Sequence, residues 1–202
     1  MDAYTDPAGH YAFRTYDVTP LNKGGSLRAE DILAANLLSL RLGWQQVTPL
    51  FADRDDTPDP EQDGAKRNTP QDLLAAMNAA LVDLRDAPSF EAIETESKLA
   101  RVLTPLAAAN EATRNVSGWT PVTVSKVLHR HLPHIVPLVD SRVREFYGVG
   151  SNRNAELRLR LWNDIRENND WLVSLARKYR TPDGRPLSVL RLVDIIIWTP
   201  DP

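Results

Sequence analysis

Apolar residues recur three and four positions apart along most of the chain, and residues that start or stop helices bound the runs that carry them. Ser26 is placed to cap a helix running to about Leu42, with Glu30 and Asp31 near its positive end and Ile32, Leu33, Leu37 and Leu40 on a broad apolar face. Asn36 in that run is either a buried, hydrogen-bonded amide or an edge residue. Thr69-Pro70-Gln71-Asp72 starts the next helix: a threonine cap, a proline whose missing amide costs nothing at the first helical position, and an acid three residues after the cap. Leu73, Met77, Ala80, Leu81 and Leu84 continue it, and it stops before Pro88. Ser89 caps a segment in which Phe90, Ile93, Leu99, Val102, Leu103, Leu106 and Ala107 recur at mostly helical spacing and which Pro105 kinks or divides.

The same grammar marks the second half. Thr120-Pro121 opens a helix with Val124, Val127 and Leu128 inward and Lys126, His129 and Arg130 toward solvent, and Pro133 ends it. After the apolar Ile135-Val136-Pro137-Leu138-Val139, Asp140 stands where it caps a helix carrying Val143, Phe146 and Tyr147, closed by Gly148. Residues 154–168 form a helix with Leu157, Leu161, Trp162 and Ile165 inward, and Asp170 caps another carrying Trp171, Leu172, Leu175 and Tyr179. The β-branched run in residues 186–198 fits helix or strand by pattern, and the absence of a strand partner favours helix. Asp194 inside that run requires a basic partner, Arg191 or another.

Two stretches depart from the pattern. Residues 1–25 are rich in turn formers, and the island from His10 to Val18 reads as a short extended segment or ordered arm whose Tyr11, Phe13 and Tyr16 pack on the helical body. Asp17 either shapes a turn there or points into a cleft. From about residue 51 to 68, charge, Pro58, Pro60 and Gly64 leave little apolar surface, which predicts a mobile acidic loop. The sum is a single all-α domain over residues 1–202.

Composition narrows the chemistry. With no cysteine, a disulfide framework, a thiolate zinc site, a cysteine-held iron–sulfur cluster and a cysteine nucleophile are excluded. The start lacks a signal-peptide pattern and no apolar run approaches the ~20 residues that span a bilayer, so no membrane partner and a cytoplasmic location are expected. The net charge of −3 argues against coating nucleic acid by bulk electrostatics. Between Pro121 and Arg160, however, Lys126, Arg130, Arg142, Arg144, Arg153, Arg158 and Arg160 face only Asp140, Glu145 and Glu156, so a basic face on an acidic protein is one reading and solvated helix faces the other. His129 and His131 point to different sides of one helix and His134 follows a proline, so no metal or other cofactor is expected.

One stretch, residues 116–147, carries a recognisable layout: Val116, Gly118, Trp119, Thr123, Val127, Leu128, Val139 and Asp140 run from a glycine-centred turn through a helix and an apolar connection to Val-Asp at the next helix. It resembles the endonuclease-III-like helix-hairpin-helix DNA glycosylases over about thirty of 202 residues. The resemblance implies about eight helices in two lobes with a cleft near Asp140. It further implies hairpin amides on a phosphate of duplex DNA and an aspartate that assists release of a flipped base. Carried onto this chain, Asp140 is the catalytic candidate. Gly118, Trp119, Thr120, Thr123, Lys126, Arg130, Arg142 and Arg144 are the nucleic-acid-binding candidates.

Two substitutions qualify that pattern. Thr120 stands at the second hairpin glycine, and Val122 stands where the lyase members carry a nucleophilic lysine. Schiff-base chemistry there is therefore excluded, leaving a monofunctional N-glycosylase. The residues alone leave alternatives: Asp140 as a plain helix cap, Trp119 as a core plug, and the whole chain as a non-enzymatic interaction protein that keeps only the scaffold. The chain is also similar to an uncharacterised bacterial family. That likeness rests on Tyr16-Asp17, the Ala35-Asn36-Leu37-Leu38 helix, Pro137-Leu138-Val139-Asp140-Ser141, and Leu187 to Arg191 with Asp194 and Trp198.

Overall fold

A computed structural model describes residues 1–6, 12–18, 25–53 and 68–199. Among them the regular structure is helical, apart from one isolated bridge between Arg180 and Pro186. The α-helices are α1 (Asp2–Thr5), α2 (Phe13–Tyr16), α3 (Ala29–Leu33), α4 (Trp44–Phe51), α5 (Pro70–Leu84), α6 (Glu96–Val102), α7 (Thr104–Glu111), α8 (Pro121–His131), α9 (Ser141–Phe146), α10 (Asn154–Glu167), α11 (Asn169–Ala176) and α12 (Val189–Trp198), with 3-10 turns at Ala34–Leu38 and Phe90–Ala92. None of the described helices is long and apolar enough to cross a membrane.

The fold is all-α as expected, but it is cut into more and shorter helices than about eight. The run read as one helix from Ser26 breaks after Leu33 because Asn36 closes a loop: its amide donates to the Leu42 carbonyl at 2.8 Å while its carbonyl accepts the Leu42 amide at 2.8 Å. Ser39 takes the left-handed conformation (φ 63°) that lets the chain return. Its start also lies further on, at Arg28, whose amide donates to Asp31 at 3.0 Å. In α4, which the hydrophobic pattern did not assign, Gln46 accepts the Gly43 amide at 2.9 Å and buried Val47 and Leu50 hold the helix despite Pro49. Phe13 and Tyr16 pack into the body as predicted, but from a turn of helix, not an extended arm. Tyr11 and most of the acidic loop lie outside the described residues.

The start signals at Thr69, Thr120 and Asp140 operate as read, whereas Asp170 lies inside the first turn of α11 with Asn168 before it, and Ser89 opens only the 3-10 turn Phe90–Ala92 without a side-chain cap bond. Thr69 accepts the Asp72 amide at 3.1 Å and Asp72 accepts the Thr69 amide at 3.0 Å, so two of the free donors at the start of α5 are satisfied. Thr69→Ala is expected to cost about 1 kcal/mol in a urea melt. Pro105 does divide its segment, sitting in the first turn of α7. The main core gathers α4, α5, α7, α8 and α12 around Met77, Leu106, Leu128 and Ile195, and Trp162 of α10 donates to the Ile93 carbonyl at 3.0 Å. A smaller cluster, Val139, Val143, Val149 and Leu157, lies under α9 and α10. Asp140 stands beside this second cluster, next to where α12 crosses α9.

Candidate functional site

Asp140 caps α9 with one oxygen and presents the other to a pocket. Its Oδ1 accepts the Val143 amide at 3.1 Å. Its Oδ2 accepts the Trp198 indole N–H at 2.9 Å and lies 3.8 Å from the Lys126 Nζ. The pocket encloses about 200 Å³. Tyr4 of α1 and Ala12 form part of its wall, with Leu37, Leu38 and Ser39 from the chain's return after the first 3-10 turn. Lys126 of α8, Leu138 and Asp140 form another part, and α12 contributes Arg191, Asp194 and Trp198 at spacings that share one helix face.

Lys126 corrects the sequence reading. A lysine three residues from Thr123 on an amphipathic helix was expected in solvent, yet it is 5% exposed and its ammonium donates to the Leu38 carbonyl at 2.7 Å. Burial pulls its pKa down, and Asp140 and Asp194 pull it back up. The 3-10 turn after α3 is what covers it: that turn packs on α8, and Tyr16 adds a hydrogen bond to the Lys126 carbonyl at 2.6 Å. His129, also expected to be wet, is buried with its Nδ1 2.6 Å from the Val136 carbonyl. Burial lowers that imidazole to about 3, so it stays neutral.

Behind the pocket, Arg191 organises a buried ion cluster. Its guanidinium holds Asp17 through two bonds of 2.7 and 2.8 Å and also reaches Asp194 and the Tyr4 hydroxyl. The predicted Arg191–Asp194 pairing is present, and Asp17 turns inward to the cluster instead of merely shaping a turn. Burial pushes the Asp194 carboxyl up to about 6, with Arg191 opposing and Asp140 and Asp17 adding to the rise. A raised acid favours its neutral form in the fold. Its share of stability is therefore present below the unfolded value of 3.8 and is lost as pH rises toward about 6. The depressed His129 acts oppositely over its own range, from about 3 to 6.5. The difference between the wild type and Asp194→Asn isolates the carboxylate: the variant should gain relative stability as pH rises from about 4 to about 6, measured by urea melts at each pH.

The other residues singled out from the sequence divide by location. Trp119 is buried and donates to the Gln46 carbonyl at 3.1 Å, and Thr123 is buried against the Thr120 hydroxyl at 3.1 Å. Thr120 caps α8 by accepting the Thr123 amide at 3.3 Å. Arg144 is buried and bonds the Val139 carbonyl at 3.2 Å, the Gly150 carbonyl at 2.9 Å and the Asn154 side chain. Arg130 is half-buried with Asp31 4.0 Å away. Arg142 is exposed, its guanidinium 5.1 Å from the centre of the Trp198 ring. Gly118 takes φ +77° in the exposed turn, and a Cβ there would lie 2.6 Å from the Gln46 Cγ. Gly118→Ala should cost about 1–2 kcal/mol from backbone strain alone and lower the melting temperature by about 5 °C.

The structure thus brings Asp140 and Lys126 into one site and leaves the hairpin turn about 9 Å away along α8 at 1.5 Å per residue. His129, His131 and His134 go separate ways, His129 to the Val136 carbonyl, His131 toward Asp31 at 3.5 Å and His134 to the Ala87 carbonyl. No group of three possible metal ligands occurs among the described residues. Tyr4, Ser39 and Trp198 were missed as site residues. Nothing local marks Tyr4 or Ser39, whereas Asp194 in an apolar run was a signal that α12 faces something charged.

A model of a family of unknown function, DUF6308, matches residues 1–201. The chain belongs to that family. The match covers the N-terminal Tyr4, the central Asp140 and the C-terminal Trp198 together, so the pocket is assembled from the whole length of the family's domain. The glycosylase likeness of residues 116–147 is not matched by any family model for that segment. No curated protein and no solved structure matches the chain.

Proposed function

We propose that the protein cleaves an N-glycosidic bond in a nucleobase-bearing substrate, with the reacting end held in the Asp140 pocket. The observation that carries this reading is the division of labour in Asp140: Oδ1 is fixed by the helix it caps, so Oδ2 is held rigidly toward the pocket beside the Lys126 ammonium. Breaking such a bond leaves positive charge on the sugar and negative charge on the departing base. Asp140 stabilises the first and takes a proton from the attacking water. Lys126, whose proton burial loosens, delivers a proton to the second. A single ring fits a space of about 200 Å³.

The basic face that would grip duplex DNA is much smaller than the sequence suggests. Of the seven cations between Pro121 and Arg160, Lys126, Arg144 and Arg158 are buried, and Arg153 and Arg160 both pair with Glu156, at 2.5 and 2.7 Å. Arg142 remains exposed, and Arg130 keeps only partial exposure with Asp31 4.0 Å away, so at most two cations are left. A substrate contacted through two cations predicts a log–log salt slope of about −2, against the steep loss that all seven would give. The reading is tested by incubating the protein with single-stranded and duplex oligonucleotides carrying deaminated, oxidised or alkylated bases and measuring freed base by chromatography. Release should leave an alkali-labile abasic site without direct strand cleavage. No release from any of them, together with no binding at low salt, would return the chain to the class of interaction proteins.

A further inference from the structure

The charges gathered around the pocket do not balance. Its titratable lining is Tyr4 from α1, Lys126 from α8, Asp140 at α9, and Arg191 and Asp194 from α12, and Arg191 is shared with Asp17, which lies behind the pocket beside Tyr16 of α2. In this connected network Asp17, Asp140 and Asp194 set against Lys126 and Arg191 leave one negative charge in excess when all are ionised, while Arg130 and Arg185 on the far side are held by Asp31 at 4.0 Å and Asp183 at 3.0 Å. Arg142 lies at the exposed edge against Trp198 and is hydrated, so it does not neutralise the interior. A net buried charge is costly unless something pairs with it. Asp194 shows where the deficit sits: it is 6% exposed, it lines the pocket, and its Oδ1 has no hydrogen-bond partner. Arg191 already engages the other oxygen of that carboxylate.

We propose that the pocket is a binding site for a small organic monocation with an N–H-rich head, an amidinium, guanidinium or primary ammonium, which supplies the missing positive charge between Asp140 and Asp194. The apolar part of the lining, Leu37, Leu138 and the Trp198 ring, suits a flat or short hydrocarbon body behind that head. Ser39 lines the same wall, where the Leu38 carbonyl accepts the Lys126 ammonium at 2.7 Å. Above a pH of about 6 the cation meets an ionised Asp194, and below it the cation competes with a proton for the same carboxylate. This site is the one in which the proposed reaction takes place, but cation binding requires no bond cleavage, so either can fail without the other.

Calorimetric titration of the full chain at pH 7.5 with benzamidinium and methylguanidinium, and with benzoate as a counter-probe of the same shape and opposite charge, tests the inference. The cations should bind and benzoate should not. Affinity for benzamidinium should fall about tenfold between pH 7.5 and pH 5 as Asp194 takes up its proton. Asp194→Asn and Asp140→Asn should each weaken it by about tenfold or more at pH 7.5, and Asp194→Asn should flatten the pH dependence. If Asp194→Asn does not fold, the pH series on the wild type decides by itself. Benzoate binding as tightly as benzamidinium, no cation binding up to about 10 mM, or an affinity that ignores pH would each overturn the proposal.

Discussion

Arg191→Met is expected to destabilise the protein by about 3–5 kcal/mol at pH 7.5. Methionine fills much of the same volume, so the loss measures electrostatics more than packing. With the guanidinium gone, Asp17 loses bonds of 2.7 and 2.8 Å, Asp194 loses its partner, and Tyr4 loses the link that ties α1 to α12. Two buried carboxylates are then left beside Asp140 with only Lys126 as a counter-charge. For a chain of this length the melting temperature should fall by about 10 °C. The deficit should shrink at pH 5, where Asp194, pushed up to about 6 by burial, takes up its proton. Adding Asp17→Asn and Asp194→Asn to Arg191→Met should recover much of the loss, because removing all partners of a buried network costs less than removing one. A loss below about 1 kcal/mol for Arg191→Met alone would mean that the cluster is solvated and does not hold the termini to the body.

Asp140→Asn is expected to lower base release by about 10²–10³-fold while keeping α9 capped, at a cost of about 1–3 kcal/mol for leaving the Trp198 N–H and Lys126 without their acceptor. The separation follows from the two oxygens. An asparagine carbonyl can still accept the Val143 amide and cap α9, so the helix start survives. The other position becomes an N–H₂ group facing the Trp198 indole N–H and the Lys126 ammonium, so the acceptor that would stabilise a cationic sugar is replaced by a donor among donors. Asp140→Ala should instead lose both functions, adding the cost of an uncapped helix. Single-turnover release assays and urea melts on the same preparations distinguish the cases. Wild-type release by Asp140→Asn would remove Asp140 from the chemistry and leave it a structural cap.

The helix starts were legible because they are written in local chemistry. Thr69, Thr120, Asp140 and Ser188 each cap a helix by accepting an amide three residues on, which needs no knowledge of the rest of the chain. Three of those four were assigned from sequence, and the fourth belongs to a segment whose helical character was expected. Where a residue acts at long range, local pattern misled. Asn36 breaks a helix by bonding Leu42, and Lys126 looks like a solvent-facing lysine until the turn formed around Asn36 closes over it. The two errors share one cause, since the same break that shortened the predicted helix supplies the carbonyl that the lysine binds.

By itself, then, the sequence determined an all-helical chain, its principal caps and core faces, the absence of thiol chemistry, and Asp140 as the residue to watch. Periodicity and capping depend on neighbours within four or five positions, and composition depends on none. Only the tertiary structure decided that Asp140, after capping its helix, turns its second oxygen to Trp198 and Lys126 at a pocket wall. It also decided that Lys126 and Asp194 join it there, and that the basic stretch after Pro121 is largely consumed by internal bonds. Tyr4 and Arg191 are separated by 187 positions and meet behind the pocket, a contact that burial of charge demands but that no spacing along the chain can announce.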